Sequence, residues 1–139
     1  MTSSTPQPGS GPRILLYSDD VDVRAEVRLA VGPRLGAGRS QIEWIEVGTA
    51  DAVLAVAKAD GADLLVLDGE ADKVGGMGLA RQLKDEVFEC PPVLLLIARP
   101  ADSSLAHWSN AEGVVCRPLD PIAVHDAVAG LLVGEALAR

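Results

Sequence analysis

Carboxylates follow two separate apolar segments of the chain. Asp68 comes directly after the unbroken apolar run of residues 64–67, and Asp19 and Asp20 come shortly after the run of residues 14–17. Short apolar runs bounded by turn residues are typical of strands buried on both faces. Ligands of open parallel sheets bind at the carboxyl edge of the strands. Two carboxylates delivered to that edge can bind a hard divalent cation, act as a nucleophile, or do both.

Strand-like and helix-like segments alternate along the rest of the chain. Further strands are predicted at residues 42–47, 93–97 and 113–116, and partial alternation of polar and apolar residues places the first of them near a sheet edge. The intervening helices have clear starts, since Asp20 or Asp22 can cap the first, and Thr49 and Asp120 are good N-cap residues for later ones. About five strand–helix units predict a parallel sheet with helices on both faces, a doubly wound α/β fold.

Helix ends and buried faces are predicted from turn residues and apolar spacing. The second helix is expected at residues 50–58, with Gly61 ending it, and Cys90-Pro91-Pro92 is expected to break the third helix, whose apolar stripe includes Val87. The buried face of the terminal helix is expected to consist of Val124, Val128, Leu131 and Leu132.

Length and composition restrict the class of protein. The 139 residues predict one domain at residues 13–139, after a flexible, polar tail at residues 1–12. A net charge of −8 disfavours binding to nucleic acid and to anionic membranes. The N-terminus lacks the basic and apolar regions of a secretory signal, and no apolar run is long enough to span a membrane. Cys90 and Cys116 lack metal-ligand spacing, so free thiols in a reducing cytoplasm are expected.

Two common uses of such a fold do not fit. A dinucleotide site needs a glycine-rich phosphate loop directly after the first strand, but Ser18, Asp19 and Asp20 occupy that place and their charges repel phosphate. Gly75, Gly76 and Gly78 follow the third strand with the wrong spacing. A flavin site also requires a small, hydroxyl-rich loop after the first strand, and one serine followed by two aspartates does not make one.

The chain resembles the receiver domain of bacterial two-component response regulators. The resemblance implies an α/β fold, the (βα)5 doubly wound parallel sheet of the CheY-like (flavodoxin-like) receiver. It covers almost everything from Arg13 onward, and it is the order and spacing of several short pieces that carry it. These pieces are residues 14–20, 63–68, 75–76, 92–98 and 117–121.

This resemblance implies a role for each strand-end residue. Asp68 matches the aspartate that accepts a phosphoryl group from a histidine kinase, and Asp19 matches a direct ligand of Mg²⁺. Glu70 matches the position whose backbone carbonyl also binds the metal. Asp20, which supports the pocket, is expected to act as an N-cap or to be solvated rather than to be a strong ligand.

Four positions depart from the family pattern. Ser18 replaces an outer carboxylate, which predicts weak Mg²⁺ binding because affinity follows ligand charge. Ile97 stands where the family has a hydroxyl that binds the phosphoryl group. Arg117 replaces the family's lysine and differs from it in shape and hydrogen bonding. Val114 replaces the aromatic residue that moves on activation.

These departures resemble atypical receivers, in which the fold is retained as an interaction surface. The resulting expectation is a stand-alone, cytoplasmic regulator without enzyme activity, acting through contact with a histidine kinase, a target protein or a second copy of itself. The expected surface lies on the fourth helix, fifth strand and fifth helix and includes Leu105, Trp108 and Leu119.

Several alternatives stay open at this point. Asp68 is either a working phosphoacceptor with bound Mg²⁺ or only a solvated residue at a strand end. Arg117 either leaves room for a metal or pairs with Asp68 and closes the pocket without one. Leu105 and Trp108 either form a partner surface or pack within the fold. A small hydrolase is disfavoured, since the chain leaves no room for a substrate domain or lid.

Overall fold

The computed structural model describes residues 11–71 and 75–137, without the side chains of residues 105 and 133–137. Most of the predicted tail, residues 1–10, therefore lies outside the described residues. The strands are β1 Arg13–Tyr17, β2 Glu43–Val47, β3 Leu64–Asp68, β4 Val93–Ile97 and β5 Gly113–Cys116. The helices are α1 Val21–Val31, α2 Ala50–Lys58, α3 Gly76–Glu86, α4 Ser103–Trp108, preceded by a 3₁₀ turn at Pro100–Asp102, and α5 Pro121–Leu137.

The five strands form one parallel sheet in the order β2-β1-β3-β4-β5. This confirms the predicted (βα)5 fold and places β2 at an edge, as the sequence indicates. Tyr17 at the end of β1 lies opposite Leu67 of β3, and Ile97 at the end of β4 lies opposite Cys116 of β5. The register therefore brings the carboxyl ends of these strands to the same edge of the sheet.

Both faces of the sheet are covered by helices, which is why β3 and β4 are apolar without alternation. Successive side chains point to opposite faces. Leu65 and Leu67 pack with the apolar residues of α2, α3 and α4, whereas Leu64 and Val66 pack with those of α1 and α5. The sheet edge that holds the carboxylates is thus supported by a buried layer on each side.

The predicted helix starts are confirmed. The Asp20 carboxylate accepts a hydrogen bond from the Asp22 N–H at 2.9 Å, and the Thr49 hydroxyl accepts one from the Ala52 N–H at 3.2 Å. The Asp120 carboxylate accepts one from the N–H of Ala123 at 3.2 Å in α5. These side chains satisfy N–H groups that have no partner within the helix.

Some predicted boundaries and burials are wrong. Helix α2 covers Ala50–Lys58 as predicted, but α3 ends at Glu86, one residue before the predicted apolar stripe ends. Val87 is buried but lies in an extended conformation beyond α3, so it continues the apolar stripe without continuing the helix. Val124 and Val128 are buried as predicted, whereas Leu131 and Leu132 are only half-buried.

The chain is held against the sheet before its first strand begins. The carbonyl of Pro12 accepts a hydrogen bond from the N–H of Glu43 at 2.9 Å, so the chain is already held against β2 just before β1 begins. Within the two described ranges, no helix combines the length and the apolar character that crossing a membrane requires.

Candidate functional site

The carboxyl edge of the sheet forms a cavity of about 460 Å³. Asp68 is the last residue of β3, Ser18 directly follows β1, and Arg117 directly follows β5. The cavity is lined by Asp19, Asp20, Val21, Val23, Asp68, Glu70 and Arg117. The structure therefore brings together the predicted residues Asp19, Asp68, Glu70, Asp20 and Arg117.

Asp68 is held by hydrogen bonds to both oxygens of its carboxylate. Its side chain is almost fully buried, with the residue 3% exposed. The Ser18 hydroxyl donates to Oδ2 at 2.8 Å, and the Glu70 N–H donates to Oδ1 at 2.8 Å. A carboxylate has about four lone-pair positions, so each oxygen retains acceptor capacity. Asp68 is thus a fixed residue of the cavity and not a solvated strand end.

Ser18 links Asp68 to the start of α1. Its side chain is fully buried, and its Oγ accepts a hydrogen bond from the Asp20 N–H at 3.0 Å. Because that N–H points at the hydroxyl oxygen, the hydroxyl proton is directed toward Asp68. Ser18 therefore supplies Asp68 with a hydrogen-bond donor where the family pattern has a second carboxylate.

The remaining acidic residues surround the mouth of the cavity. Asp19, Asp20 and Glu70 are exposed. Asp20 caps α1, which confirms the N-cap role expected for it. Burial raises the pKa of the Tyr17 hydroxyl, and the negative charges of Asp19 and Asp68 raise it further. Tyr17, at the end of β1, therefore lies close enough to both carboxylates for their charge to oppose its ionisation.

Arg117 lines the cavity but forms an ion pair outside it. Its Nη2 lies 3.2 Å from Oε1 of Glu26, in the middle of α1. The ion pair that the sequence left open for Arg117, with Asp68, is thus replaced by one with Glu26. The backbone of Arg117 is fixed by its N–H, which donates to the carbonyl of Ile97 at 2.8 Å, and the Arg117–Pro118 peptide is cis.

The two activation positions of the family are apolar in this structure. Ile97 is buried among the residues on the α2, α3 and α4 side of the sheet. It fills that place with hydrocarbon, which cannot donate a hydrogen bond to a phosphoryl oxygen. Val114 on β5 is exposed. Neither position has the hydroxyl or the aromatic ring that the family pattern places there.

The oxygen atoms around Asp68 are of the chemical kind that binds a hard cation. The charged carboxylates among them are few. Carboxylate and carbonyl oxygens are the ligands that Mg²⁺ prefers. The residues that could hold it are Asp19 and Asp68 through their carboxylates and Glu70 through its backbone carbonyl. Within residues 11–71 and 75–137, no three His, Cys, Asp or Glu side chains converge closely enough to form a metal site by themselves.

Two glycines allow the backbone to pass closely behind Asp68. A Cβ atom on Gly76, the first residue of α3, would lie 2.8 Å from the carbonyl oxygen of Asp68. A Cβ on Gly69 would lie 2.7 Å from the carbonyl oxygen of Leu96. Sequence reasoning used Gly76 only as part of a motif and did not find this contact. Glu26 was missed altogether, because no local spacing relates it to Arg117.

The two described side chains of the expected interaction surface, Trp108 and Leu119, differ in exposure. Trp108 at the end of α4 is 53% exposed. The guanidinium of Arg81 on α3 lies 4.9 Å from the centre of its ring, and Arg81 Nη1 donates to the Trp108 carbonyl at 2.8 Å. Leu119 is half-buried against the α1 and α5 side of the core. The side chain of Leu105 lies outside the described residues.

Comparison with known proteins identifies the family. No family profile matches the chain. Two relatives from strains of Mycobacterium tuberculosis, each named an uncharacterized response regulatory protein, are 46% identical to it over 127 residues. The match covers 91% of this chain and 96% of each relative.

Solved structures share the fold at lower identity. A signal receiver domain from Vibrio parahaemolyticus superposes with a TM-score of 0.76 at 16% identity, covering 92% of this chain and 95% of that one. A CheY-like receiver domain from Methanospirillum hungatei JF-1 gives 0.73 at 17% identity, covering 94% of this chain and 100% of that one. These likenesses establish the fold, and the sequence relatives establish the family. The chain belongs to the response regulator family, as a CheY-like receiver domain of two-component signalling.

Proposed function

We propose that this receiver is an atypical, stand-alone response regulator of the cytoplasm, which signals through protein–protein contact and in which phosphorylation of Asp68 is lost or inefficient. The observation that carries the proposal is the hydrogen bond from the Ser18 hydroxyl to Asp68 Oδ2. A buried carboxylate normally requires a cation or several donors. Here two neutral donors, the Ser18 hydroxyl and the N–H of Glu70, stabilise the Asp68 carboxylate with one hydrogen bond to each oxygen.

Phosphoryl transfer depends on groups that stabilise the charge of the transferred phosphoryl oxygens. Three of these groups are weak here. Ser18 adds no negative charge for Mg²⁺, Ile97 has no hydroxyl, and Arg117 is paired with Glu26. Each of these differences lowers the advantage of the charged, phosphorylated state over the unmodified one, and together they support a receiver that does not depend on phosphorylation.

A receiver that does not depend on phosphorylation signals through contact with a protein partner. Response regulators contact kinases and target proteins, and here the exposed Trp108 is the candidate anchor, because exposed aromatic residues are typical of binding surfaces. A histidine kinase, a target protein and a second copy of the chain are the candidate partners. If Trp108→Ala and Asp68→Ala variants both bind an identified partner as tightly as the wild type does, this surface is excluded.

The test of the proposal is a titration followed by amide NMR. Mg²⁺ is added first and beryllofluoride, which mimics a phosphoryl group, second. The wild type is expected to show little change around Asp19 and Asp68 at millimolar Mg²⁺, with no further change on adding beryllofluoride. The matched variant Ser18→Asp/Ile97→Thr/Arg117→Lys, which restores the family groups, is expected to respond to both. Saturable beryllofluoride shifts in the wild type, reaching from Asp68 to Arg117, would refute the proposal.

A second candidate is a functional phosphoacceptor, which one observation favours. Four acidic residues line the cavity against one cation, and Asp68 keeps free acceptor positions. Mg²⁺ held by Asp19, Asp68 and the Glu70 carbonyl would neutralise charge there. Asp68 would then accept the phosphoryl group of a kinase phosphohistidine. Mass spectrometry after incubation with acetyl phosphate and Mg²⁺ tests this, with Asp68→Asn as the control. A phosphoryl adduct in the wild type alone would establish the second candidate.

A further inference from the structure

Arg117 lies between two acidic neighbours. It lines the same cavity as Asp68, but its Nη2 bonds to Oε1 of Glu26 on α1 at 3.2 Å. The two side chains are partly exposed, 32% for Arg117 and 40% for Glu26. A guanidinium has five N–H donors in a rigid plane, so the direction in which one edge is held decides what the others can reach.

The helix that carries Glu26 is itself firmly placed. Helix α1 packs through Val23, Val27 and Val31 into the layer that it shares with α5. Glu26 therefore presents its carboxylate from a fixed backbone position, while Arg117 follows the edge strand β5. The pair connects α1 to the residue that directly follows β5.

We infer that Glu26 is a positioning residue, which holds the Arg117 guanidinium on the α1 side of the cavity and competes for it with a phosphoryl group on Asp68. The inference rests on the proposed function, because it adds a cause of inefficient phosphorylation that the family motif does not reveal. Bringing Arg117 to the phosphoryl oxygens requires that the bond to Glu26 be given up. Glu26 thus reduces phosphoryl binding by Arg117, the one cationic side chain that lines the described cavity.

The competition is modest in size, because the pair is partly exposed. Ion pairs of this kind contribute little, so removing Glu26 is expected to strengthen binding of a phosphoryl mimic about two- to fivefold. The variant is Glu26→Gln, which keeps the shape and removes the charge. The matched control is Glu46→Gln, since Glu46 on β2 also pairs with arginines of α1, Arg24 and Arg28, but does not contact Arg117.

Two measurements test the inference. The first is the Nε–Hε NMR signal of Arg117 in the otherwise wild-type protein, which is expected to move in Glu26→Gln and to stay in place in Glu46→Gln. The second is beryllofluoride affinity in the Ser18→Asp background with Mg²⁺, where the pocket has regained its acidic pair. Glu26→Gln is expected to raise that affinity about two- to fivefold, and Glu46→Gln to leave it within experimental error.

The outcomes separate this inference from the proposed function. The proposed function is decided by whether the wild type binds beryllofluoride, and the role of Glu26 by the ratio between two variants. An unmoved Arg117 signal in Glu26→Gln would overturn the inference, because the pair would not exist in solution. Unchanged or weaker beryllofluoride binding, or none in the Ser18→Asp background with or without Glu26, would overturn it as well, since releasing Arg117 would then bring the pocket no benefit.

Discussion

Replacing Ser18 with alanine removes a hydroxyl that donates one hydrogen bond and accepts another. Its bond to the buried, charged Asp68 carboxylate is lost, and the Asp20 N–H loses its acceptor. Hydrogen bonds to charged groups contribute about 1.5–3 kcal/mol. The cavity beside Asp68 is open to solvent donors that can partly replace the hydroxyl, so Ser18→Ala is expected to lower the free energy of unfolding by about 2 kcal/mol.

The assay is urea unfolding of a double-mutant cycle with Asp68→Ala. Because most of the effect of Ser18→Ala arises from its bond to Asp68, the coupling energy between the two positions is expected to be about 1.5 kcal/mol. Ser109→Ala is the matched control, since Ser109 is also fully buried but its hydroxyl donates to a neutral backbone carbonyl, that of Ala106. The free energy of unfolding of the Ser109→Ala control is expected to fall by only about 1 kcal/mol.

The cycle can refute the reasoning directly. A coupling energy below about 0.5 kcal/mol would mean that the Ser18 hydroxyl does not stabilise the Asp68 carboxylate. The observation that carries the proposed function would then be lost. A large loss for Ser18→Ala with no coupling would instead assign the effect to the start of α1, through the N–H of Asp20.

Three further results are expected. Gly76→Ala should destabilise the fold, since its Cβ would clash with the Asp68 carbonyl, whereas Gly78→Ala in the same helix has open space and should gain up to about 1 kcal/mol in urea unfolding. The pKa of Tyr17, the single tyrosine, should lie above its ordinary value of 10.0 when measured by ultraviolet titration. As pH rises, the unfolded chain loses this proton before the folded chain does. The stability that Tyr17 contributes is therefore complete below pH 10.0 and is lost as pH rises through the folded pKa. Burial raises the pKa of the Cys90 thiol, so iodoacetamide should alkylate it more slowly in the folded than in the urea-unfolded Cys116→Ser variant, and equal rates would contradict this.

The sheet could be predicted from the sequence because its central strands are buried on both faces. Residues 64–67 and 93–97 are short, unbroken apolar runs bounded by turn residues, which are typical of strands in a covered parallel sheet. The end of α3 could not be predicted in the same way. Val87 keeps the helical spacing of buried residues and its N–H still donates to the Leu83 carbonyl, but its backbone is extended, so periodicity alone does not show where the helical conformation stops.

The residues that strand ends bring to the site could be predicted from the sequence. The hydrogen bonds and ion pairs that their side chains form could not. The rule that parallel strands meet at one edge placed Asp19, Asp68 and Arg117 together. The pair between Arg117 and Glu26 joins residues 91 positions apart, and no local pattern indicates it. Likewise, the sequence indicated a missing carboxylate at Ser18 but not the hydrogen bond that replaces it, which depends on how β1 and β3 align.

The bond between Ser18 and Asp68 also bears on how this receiver can evolve. A Ser18→Asp change alone places two carboxylates together in a buried space, where one of them must be neutralised. An Ile97→Thr change alone brings a hydroxyl into a core filled by hydrocarbon. Each reversal therefore loses stability before phosphotransfer improves. Under the proposed function, restoring the family groups one at a time therefore passes through less stable intermediates, so the effects of the single substitutions depend on one another.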